Sequence, residues 1–260
     1  MPLPYIYRLV RHLRWQVPDQ GATGHLTTPD TPPRPITPIC LIGDIHGRRD
    51  LLDDMLDRLA EQPDAARAHL VTLGDMIDRG PDSAGVVSRL MQDAAAHLGR
   101  RVHLMGNHER MMLDFLVQPA ANHCWLASGG RETLISYGVR PEPDRPAAMA
   151  EALRAAMPAA HLDWLAARPL YWLGEGIAAV HANADPARPI PRQDEKTLLW
   201  GKGPQGPRAD GLWIATGHVV QDQPTAANGR IALDTGAWRT GVLSAAWLDR
   251  RGARFLQVRR

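Results

Sequence analysis

The sequence predicts an α/β fold in which two β-sheets pack against each other with helices outside. In the first half, short apolar runs alternate with amphipathic helical segments, a pattern typical of α/β architectures with buried strands. In the second half, strand-like apolar runs dominate, and the last two are joined by a turn containing glycine, which predicts a hairpin. The 260 residues suffice for one large domain with a sizeable core.

The predicted elements follow in order along the chain. They are a strand at ICLIG, a helix over 50–60, a strand at HLVTLG, a helix over 82–98, a strand at RVHLMG, a helix over 108–117, a mainly helical stretch over 119–170 broken at PEPDRP, and then strands at GIAAVHA, LWIATGH and RIALDTG before the hairpin. The apolar residues of the first helix recur at three- and four-residue spacing, as expected for a helix packed on a sheet.

Composition limits the class of protein. Charged residues make up 22% and hydrophobic residues 44%, which is ordinary for a globular protein. Lys and Arg number 30 against 28 Asp and Glu, so the charge does not favour a dedicated nucleic-acid binder. The two cysteines form no CxxC pair, which favours a reducing compartment. No run approaches the roughly 18 apolar residues of a membrane span and no signal-peptide pattern occurs, so we expect a cytoplasmic protein.

The chain divides into residues 1–38 and residues 39–260. Residues 1–17 carry apolar side chains at helical spacing opposite several arginines, which predicts a short basic helix. This helix packs on the body of the protein or docks to a partner or a membrane surface; both interpretations stay open. Residues 18–38 are rich in Pro, Thr and Gly and predict a linker or extended arm.

Residues able to bind a metal follow directly on five predicted strands. In chain order these are Asp44 and His46, then Asp75 with Asp78, then Asn107 with His108 and Glu109, then His181, and last His218, while Arg79 directly follows Asp78 as a positive charge in the same motif. Because ligands gather at the carboxyl ends of strands, we expect these side chains to share one location. Each of these residues alone is explained as a helix cap, a turn residue or a core histidine. Those explanations are independent of one another, so they do not account for the occurrence of such residues at the ends of five strands.

The donor set indicates which ions fit. Three imidazoles, two carboxylates and an amide oxygen, without a thiolate, suit Mn, Fe, Zn or Co better than Ca or Mg. Six ligands exceed the needs of one tetrahedral ion, so we predict a pair of ions with a bridging carboxylate. Two ions about 3.5–4 Å apart are suited to in-line phosphoryl transfer to water.

These motifs resemble those of the metallophosphoesterases and, within them, the phosphoprotein phosphatases. GDIHG, GDMIDRG, GNHE, a single His and GH occur in that order between Ile39 and Trp238. NHCWLASGG, LLW and LDTGA are also similar to the small bacterial and phage serine/threonine phosphatases. The resemblance implies that residues 39–260 form a catalytic domain with the calcineurin-like α/β/β/α sandwich.

The resemblance also implies a role for each matching residue. The first ion would be held by Asp44, His46 and Asp75, and the second by Asp75, Asn107, His181 and His218. His108, oriented by Asp78, would be the general acid for attack by a metal-bridging hydroxide, and the ions would be Mn²⁺, with Fe or Zn as alternatives. Arg79 and Asn107 would contact the substrate phosphate.

One position departs from the resemblance. Where the small phosphatases place a second phosphate-binding arginine after LLW, this chain has Gly201-Lys202-Gly203. We predict that Lys202 replaces it as a point charge, with Arg208 as the alternative.

Three functions are compatible with these residues. The first is a protein serine/threonine phosphatase, whose partner is a phosphoprotein or a phosphorylated small molecule. The second is a symmetrical dinucleoside polyphosphate hydrolase that cleaves diadenosine tetraphosphate. Such relatives usually lack the aspartate of DRG and carry GNHD, so Asp78 and Glu109 favour the first. The third, a non-catalytic metal-binding scaffold, is disfavoured because every catalytic position of the motif is present.

Overall fold

The computed structural model describes residues 31–142 and 144–260. The predicted helix over 1–17 and most of the linker over 18–38 therefore lie outside the described residues. Residues 31–38 contain no helix or strand, and the backbone N–H of Ile36 donates to the Glu175 carboxylate at 2.8 Å. Among the described residues, no helix has the length and apolar character that crossing a membrane requires.

The first sheet has five strands in the order β10-β9-β1-β2-β3. Its strands are β1 (Ile39–Ile42), β2 (His69–Thr72), β3 (Arg101–His103), β9 (Val242–Asp249) and β10 (Gly252–Arg259). β1, β2 and β3 are parallel, whereas β9 runs antiparallel to both β1 and β10. The predicted final hairpin is thus confirmed as β9 and β10.

The second sheet also has five strands, in the order β4-β5-β6-β8-β7. They are β4 (Tyr171–Gly174), β5 (Ile177–Val180), β6 (Trp213–Thr216), β7 (Thr225–Ala227) and β8 (Arg230–Ala232). β5, β6 and β8 are parallel, and the edge strands β4 and β7 are antiparallel to their neighbours.

Eight α-helices occur among the described residues. They are α1 (Arg49–Ala60), α2 (Ser83–Ala96), α3 (Asn107–Val117), α4 (Arg131–Ser136), α5 (Pro146–Ala156), α6 (Ala159–Ala166), α7 (Glu195–Trp200) and α8 (Ala237–Thr240). α2 begins where the Asp82 side chain accepts from the N–H of Gly85 at 2.7 Å, an N-cap contact. α5 begins at Pro146, the last residue of the predicted break at PEPDRP.

The side chains of β1 show how the layers are arranged. Cys40 and Ile42 pack with α1 and the other helices, whereas Ile39 and Leu41 pack with Ile177 and further residues of the second sheet. Successive residues of a strand point to opposite faces, so β1 is buried on both sides. The outer face of the second sheet is covered in turn by α7. The predicted arrangement of two packed sheets with helices outside is confirmed.

Candidate active site

The polar residues predicted from the strand ends lie together at the carboxyl ends of β1, β2, β3, β5 and β6. Asp44, His46, Asp75, Asp78, Asn107, His108 and His181 are buried, and Arg79 and His218 are partly exposed. The parallel strands of both sheets end at this edge, which is why residues far apart in sequence meet here.

Two groups of three side chains have ligand atoms within 4.8 Å of one another. One contains His46, Asp75 and His108, and the other contains Asp75, His181 and His218. The Asp75 carboxylate belongs to both, with Oδ2 3.5 Å from His46 Nε2 and Oδ1 3.4 Å from His181 Nε2. This is the position that a bridging carboxylate requires.

The imidazoles of His46 and His181 are oriented by backbone carbonyls. Nδ1 of His46 lies 2.8 Å from the carbonyl of Ile77, and Nδ1 of His181 lies 2.8 Å from the carbonyl of Leu73. A carbonyl only accepts, so each Nδ1 carries a proton, and in the neutral form each ring presents the lone pair of Nε2 to the site. Burial lowers the pKa of His46 to about 3, which keeps that ring neutral near pH 7.

Two acceptors of the site, Nε2 of the neutral His181 ring and the carbonyl oxygen of Asn107, face each other at close range. His181 Nε2 lies 2.8 Å from Asn107 Oδ1, which is also 2.9 Å from His218 Nδ1. Lone pairs of nitrogen and oxygen at such distances repel each other unless a proton or a cation lies between them. The chemistry of this donor set therefore fits a divalent cation.

Asp44 lies beside the second group and is held by the loop after β6. Its Oδ2 accepts from the N–H of His218 at 3.0 Å, whereas its Oδ1 is buried without a hydrogen-bond partner among the described residues. Burial, followed by the charges of Asp234 and Asp75, raises the pKa of Asp44 well above its usual range. A buried carboxylate oxygen of this kind is satisfied by a cation.

The backbone of the site is strained. Seven non-glycine residues among those described have positive φ, and five of them are predicted site residues: His46, Asp75, Asp78, Arg79 and His218. Such conformations are unfavourable for residues with a Cβ and cluster at functional sites. The strain therefore marks the same loops as the motifs do.

Two glycines leave room for the carboxylates. A Cβ at Gly106 would collide with the Asp75 carboxylate, and a Cβ at Gly217 would collide with the Asp44 carboxylate. The position before Asn107 and the position before His218 therefore both require glycine, because any Cβ there would displace a carboxylate of the site.

His108 and Asp78 form a hydrogen-bonded pair next to these groups. His108 Nδ1 donates to Asp78 Oδ2 at 2.7 Å, and the same carboxylate accepts from Trp125 Nε1 at 2.8 Å and Thr133 Oγ1 at 2.6 Å. Burial alone would lower the pKa of His108, but the carboxylates of Asp75 and Asp78 outweigh it and raise that pKa. An oriented imidazole with a raised pKa can hold and deliver a proton from Nε2.

The Arg79 guanidinium lies across the opening of the site. Its Nη1 donates to His46 Nε2 at 3.1 Å and its Nη2 donates to His108 Nε2 at 3.0 Å. Its Cζ lies 5.3 Å from the centre of the Trp238 ring. A planar, permanently charged group with two donors facing the site is suited to a phosphate dianion.

The two candidates for a second phosphate contact differ in position. Lys202 is exposed, and the neighbouring Gly201 lies against Ala182, next to His181. Arg208 is buried, and its guanidinium donates to the carbonyls of Asp185 and Arg188, each at 2.9 Å, and to the carboxylate of Asp210. Because its guanidinium holds a loop together, Arg208 does not fit the alternative role.

Sequence reasoning missed several residues of the site. Asp234 follows β8, is buried, and has Oδ1 2.8 Å from the N–H of Gly236. RIALDTG carries the same strand-end signal as the other motifs, so the rule that found Asp44 also applies to Asp234. Trp125 and Thr133 lie 47 and 55 residues from their partner Asp78 and could be found only in three dimensions.

Two of the proteins that this chain resembles in sequence carry different activity names. The chain is 38% identical over 92 residues to serine/threonine-protein phosphatase 2 of Escherichia coli, covering 35% of this chain and 38% of that protein. It is 29% identical over 191 residues to the symmetrical bis(5'-nucleosyl)-tetraphosphatase of Aromatoleum aromaticum, covering 66% of this chain and 60% of that protein. The chain thus spans less than two thirds of the length of either relative.

Solved structures and family models agree on the fold. A crystal structure described provisionally as a diadenosine tetraphosphatase superposes with a TM-score of 0.60 at 21% identity, covering 90% of this chain and 98% of that chain. The model of the calcineurin-like phosphoesterase family matches residues 37–219, which is more than half of the chain and includes every predicted metal-binding residue. This chain therefore belongs to the calcineurin-like phosphoesterase family.

Proposed function

We propose that this metallophosphoesterase hydrolyses phosphomonoesters and that its physiological substrates are phosphoserine and phosphothreonine in proteins. The observation that carries the proposal is the buried pair of His108 and Asp78 next to Arg79. A serine alkoxide is a poor leaving group and needs a proton, whereas a nucleoside polyphosphate leaves readily as an anion. A general acid with a raised pKa therefore supports the monoester reaction.

Two divalent ions, Mn²⁺ with Fe or Zn as alternatives, are proposed as cofactors. The first would be held by Asp44, His46 and Asp75, and the second by Asp75, Asn107, His181 and His218. When bound, the ions supply an activated water and positive charge for in-line phosphoryl transfer.

The remaining steps belong to side chains of this chain. Arg79 would bind two phosphoryl oxygens through Nη1 and Nη2, exchanging its contacts with the two imidazoles for contacts with the phosphate. His108 would protonate the leaving oxygen from Nε2, while Asp78 holds Nδ1. Lys202, exposed on the loop after α7, would add a second positive charge near the phosphate.

The second candidate function is symmetrical hydrolysis of dinucleoside tetraphosphates. It is favoured by the relative from Aromatoleum aromaticum, whose alignment covers a larger part of this chain than that of the phosphatase from Escherichia coli. The scaffold alternative is disfavoured because the predicted ligands and the His108–Asp78 pair meet at one edge of the sheets.

The experiment that separates these functions compares kcat/KM in Mn²⁺ on three substrates. They are a phosphoserine peptide, diadenosine tetraphosphate and bis-p-nitrophenyl phosphate as a phosphodiester. We expect the phosphopeptide to be hydrolysed fastest. A preference for diadenosine tetraphosphate would instead support the second function. A lack of hydrolysis of all three with Mn²⁺, Fe²⁺ and Zn²⁺ would support the scaffold.

A further inference from the structure

Two exposed apolar side chains lie at the edge of the candidate active site. Among the described residues, seven large apolar side chains are exposed: Ile36, Leu98, Val117, Ile135, Val219, Trp238 and Phe255. Val219 directly follows His218, and Trp238 lies in α8, four residues after Asp234. We call Val219 and Trp238 the apolar rim.

The loops that carry the apolar rim are in contact with each other. The N–H of Gln221 donates to the carbonyl of Asp234 at 2.8 Å, and a Cβ built on Gly236 would lie 3.2 Å from Val220. The two side chains therefore belong to adjacent loops at the carboxyl ends of the neighbouring strands β6 and β8.

Trp238 lies beside the residue proposed to bind the substrate phosphate. The centre of its ring is 5.3 Å from Cζ of Arg79, the residue proposed to bind the phosphate. A phenol ring is joined to its phosphate through one oxygen, so it stays close to the residue that binds the phosphate, and aromatic rings pair favourably at 4.5–7 Å between their centres. A nucleobase is separated from the scissile phosphate by a ribose and at least one further phosphate, so along the substrate it is farther from the phosphate than a phenol ring is.

The backbone under Trp238 is held by several hydrogen bonds. Arg48 Nη1 donates to the carbonyl of Ala237 at 2.9 Å, and Thr240 Oγ1 lies 2.9 Å from the carbonyl of Thr235 and 3.0 Å from that of Gly236. Arg48 is itself fixed by the Asp50 carboxylate. An aromatic side chain on such a fixed segment loses little entropy when a ligand binds.

We propose that Trp238 and Val219 form a subsite for an aromatic leaving group, specifically the ring of an aryl phosphate such as phosphotyrosine. The proposal rests on the proposed function in one respect, namely that Arg79 binds the phosphate of a monoester. Trp238 would contact the ring and Val219 would line the same subsite. This makes Trp238 a determinant of specificity for the leaving group.

The test compares Trp238→Ala and Trp238→Phe with the unmodified chain in Mn²⁺. The substrates are a phosphotyrosine peptide, the phosphoserine peptide of otherwise identical sequence, and diadenosine tetraphosphate. Loss of the Trp238 contact with Arg79 affects both peptides alike, so the readout is the ratio of the two: we expect Trp238→Ala to lower kcat/KM on the phosphotyrosine peptide roughly tenfold more than on the phosphoserine peptide. Trp238→Phe, which keeps an aromatic ring, retains most of the activity.

Two controls separate the subsite from indirect effects. Phe255→Ala removes an aromatic side chain of similar exposure from β10, away from the site loops. We expect this control variant to leave kcat/KM on all three substrates unchanged. Inhibition by inorganic phosphate reports on Arg79, and any change of its inhibition constant in Trp238→Ala measures the lost contact between Trp238 and Arg79, which both peptides share. Equal losses on both peptides, or a loss confined to diadenosine tetraphosphate, would overturn the proposal.

A binding experiment tests the subsite without turnover. Phenylphosphonate and methylphosphonate differ by the aromatic ring, and calorimetry measures their affinities for the Mn²⁺-loaded protein. We expect tighter binding of phenylphosphonate, and loss of that preference in Trp238→Ala. Equal affinities in the unmodified chain would overturn the subsite even if the monoesterase reaction is confirmed, and a preference for phenylphosphonate would support it even if no peptide is hydrolysed.

Discussion

Asp75 is the residue at which the two groups of candidate ligands meet. Its carboxylate lies 3.5 Å from His46 Nε2 on one side and 3.4 Å from His181 Nε2 on the other, and its φ is +48°. His46 lies in the loop after β1 of the first sheet, and His181 directly follows β5 of the second sheet. A residue that holds a strained backbone in order to face both sheets is suited to bridge two ions.

At the same scale, His108 gives a prediction about the leaving group. His108→Asn removes the proton donor, so hydrolysis of a phosphoserine peptide should fall about 10²- to 10⁴-fold. Hydrolysis of p-nitrophenyl phosphate should fall much less, because p-nitrophenolate leaves without a proton. His97→Asn, at the end of α2, is the matched control and should leave both rates unchanged. Equal losses of His108→Asn on both substrates would rule out the role of general acid.

The sequence predicted most residues of the candidate site but not the contacts that orient them. Asp44, Asp75 and Asn107 could be found because each follows a strand, and strand ends converge in this class of fold. Trp125, in contrast, contributes one indole N–H to the Asp78 carboxylate. Trp125 lies within the motif NHCWLASGG, but the motif does not reveal this contact, which depends on how the segment between α3 and α4 packs against the loop that carries Asp78.

On the scale of elements, Glu109 joins the loop after β2 to the start of α3. Its carboxylate accepts from the N–H groups of Asp75 at 2.9 Å, Met76 at 2.8 Å, Ile77 at 3.2 Å and Gly106 at 2.8 Å. The side chain is fully buried. Four N–H donors directed at one carboxylate fix the position of the loop that carries Asp75.

This arrangement predicts a large effect for a small substitution. Glu109→Gln keeps the size of the side chain but directs an amide NH₂ at backbone donors, so it should lower the free energy of unfolding by roughly 3 kcal/mol. Urea unfolding measures the change. Glu151→Gln, on the exposed surface of α5, is the control and should be neutral. A neutral Glu109→Gln would show that the loop is held by other contacts.

The buried side chain of His103, in β3, should make the free energy of unfolding depend on pH. The side chain is fully buried, with Nδ1 3.1 Å from Thr72 Oγ1 and its ring 5.4 Å from that of Trp164 in α6. Burial, aided by the charges of Arg168 and Arg101, lowers the pKa of His103 to about 3. Below pH 6.5 the unfolded chain therefore binds a proton that the folded chain does not, and stability falls as pH falls from 6.5 towards 3.

The measurement compares the unmodified chain with His103→Asn, which keeps an atom near the position of Nδ1. Between pH 7 and pH 5 the unmodified chain should lose roughly 2 kcal/mol more of its free energy of unfolding than the variant. Groups of the active site titrate in both proteins and cancel in the difference. Parallel pH profiles for the two proteins would contradict the assignment.

Long elements with a clear period were predictable, and short ones were not. α1 buries Leu51, Leu52, Met55, Leu56 and Leu59, which are the residues that its sequence pattern indicated. α8 and β7 have four and three residues and too few side chains to show a period. They form because tertiary contacts hold them, as Arg48 holds Ala237 in α8.

On the scale of the whole molecule, the candidate metal centre lies where both sheets end. The first group of ligands follows β1, β2 and β3, and the second includes His181 after β5 and His218 after β6. The sequence predicted this convergence because both halves of the chain end their strands in the same residue types. The pairing of the sheets themselves depends on side chains such as Leu41 and Ile177, whose partners no local pattern reveals.

Since ligands from both sheets surround one centre, we expect metal binding to stabilise the entire fold. Mn²⁺ at about 100 times its Kd adds about 2.7 kcal/mol to the free energy of unfolding, or roughly 5–10 °C in Tm for a chain of this size. Calorimetry after EDTA treatment, with Mn²⁺ or Ca²⁺ added back, measures the shift. Mn²⁺ should raise Tm more than Ca²⁺ does, because the site combines imidazole nitrogens with oxygens. Asp75→Asn should reduce both the shift and the number of Mn²⁺ ions bound, and an unchanged count would contradict its bridging position.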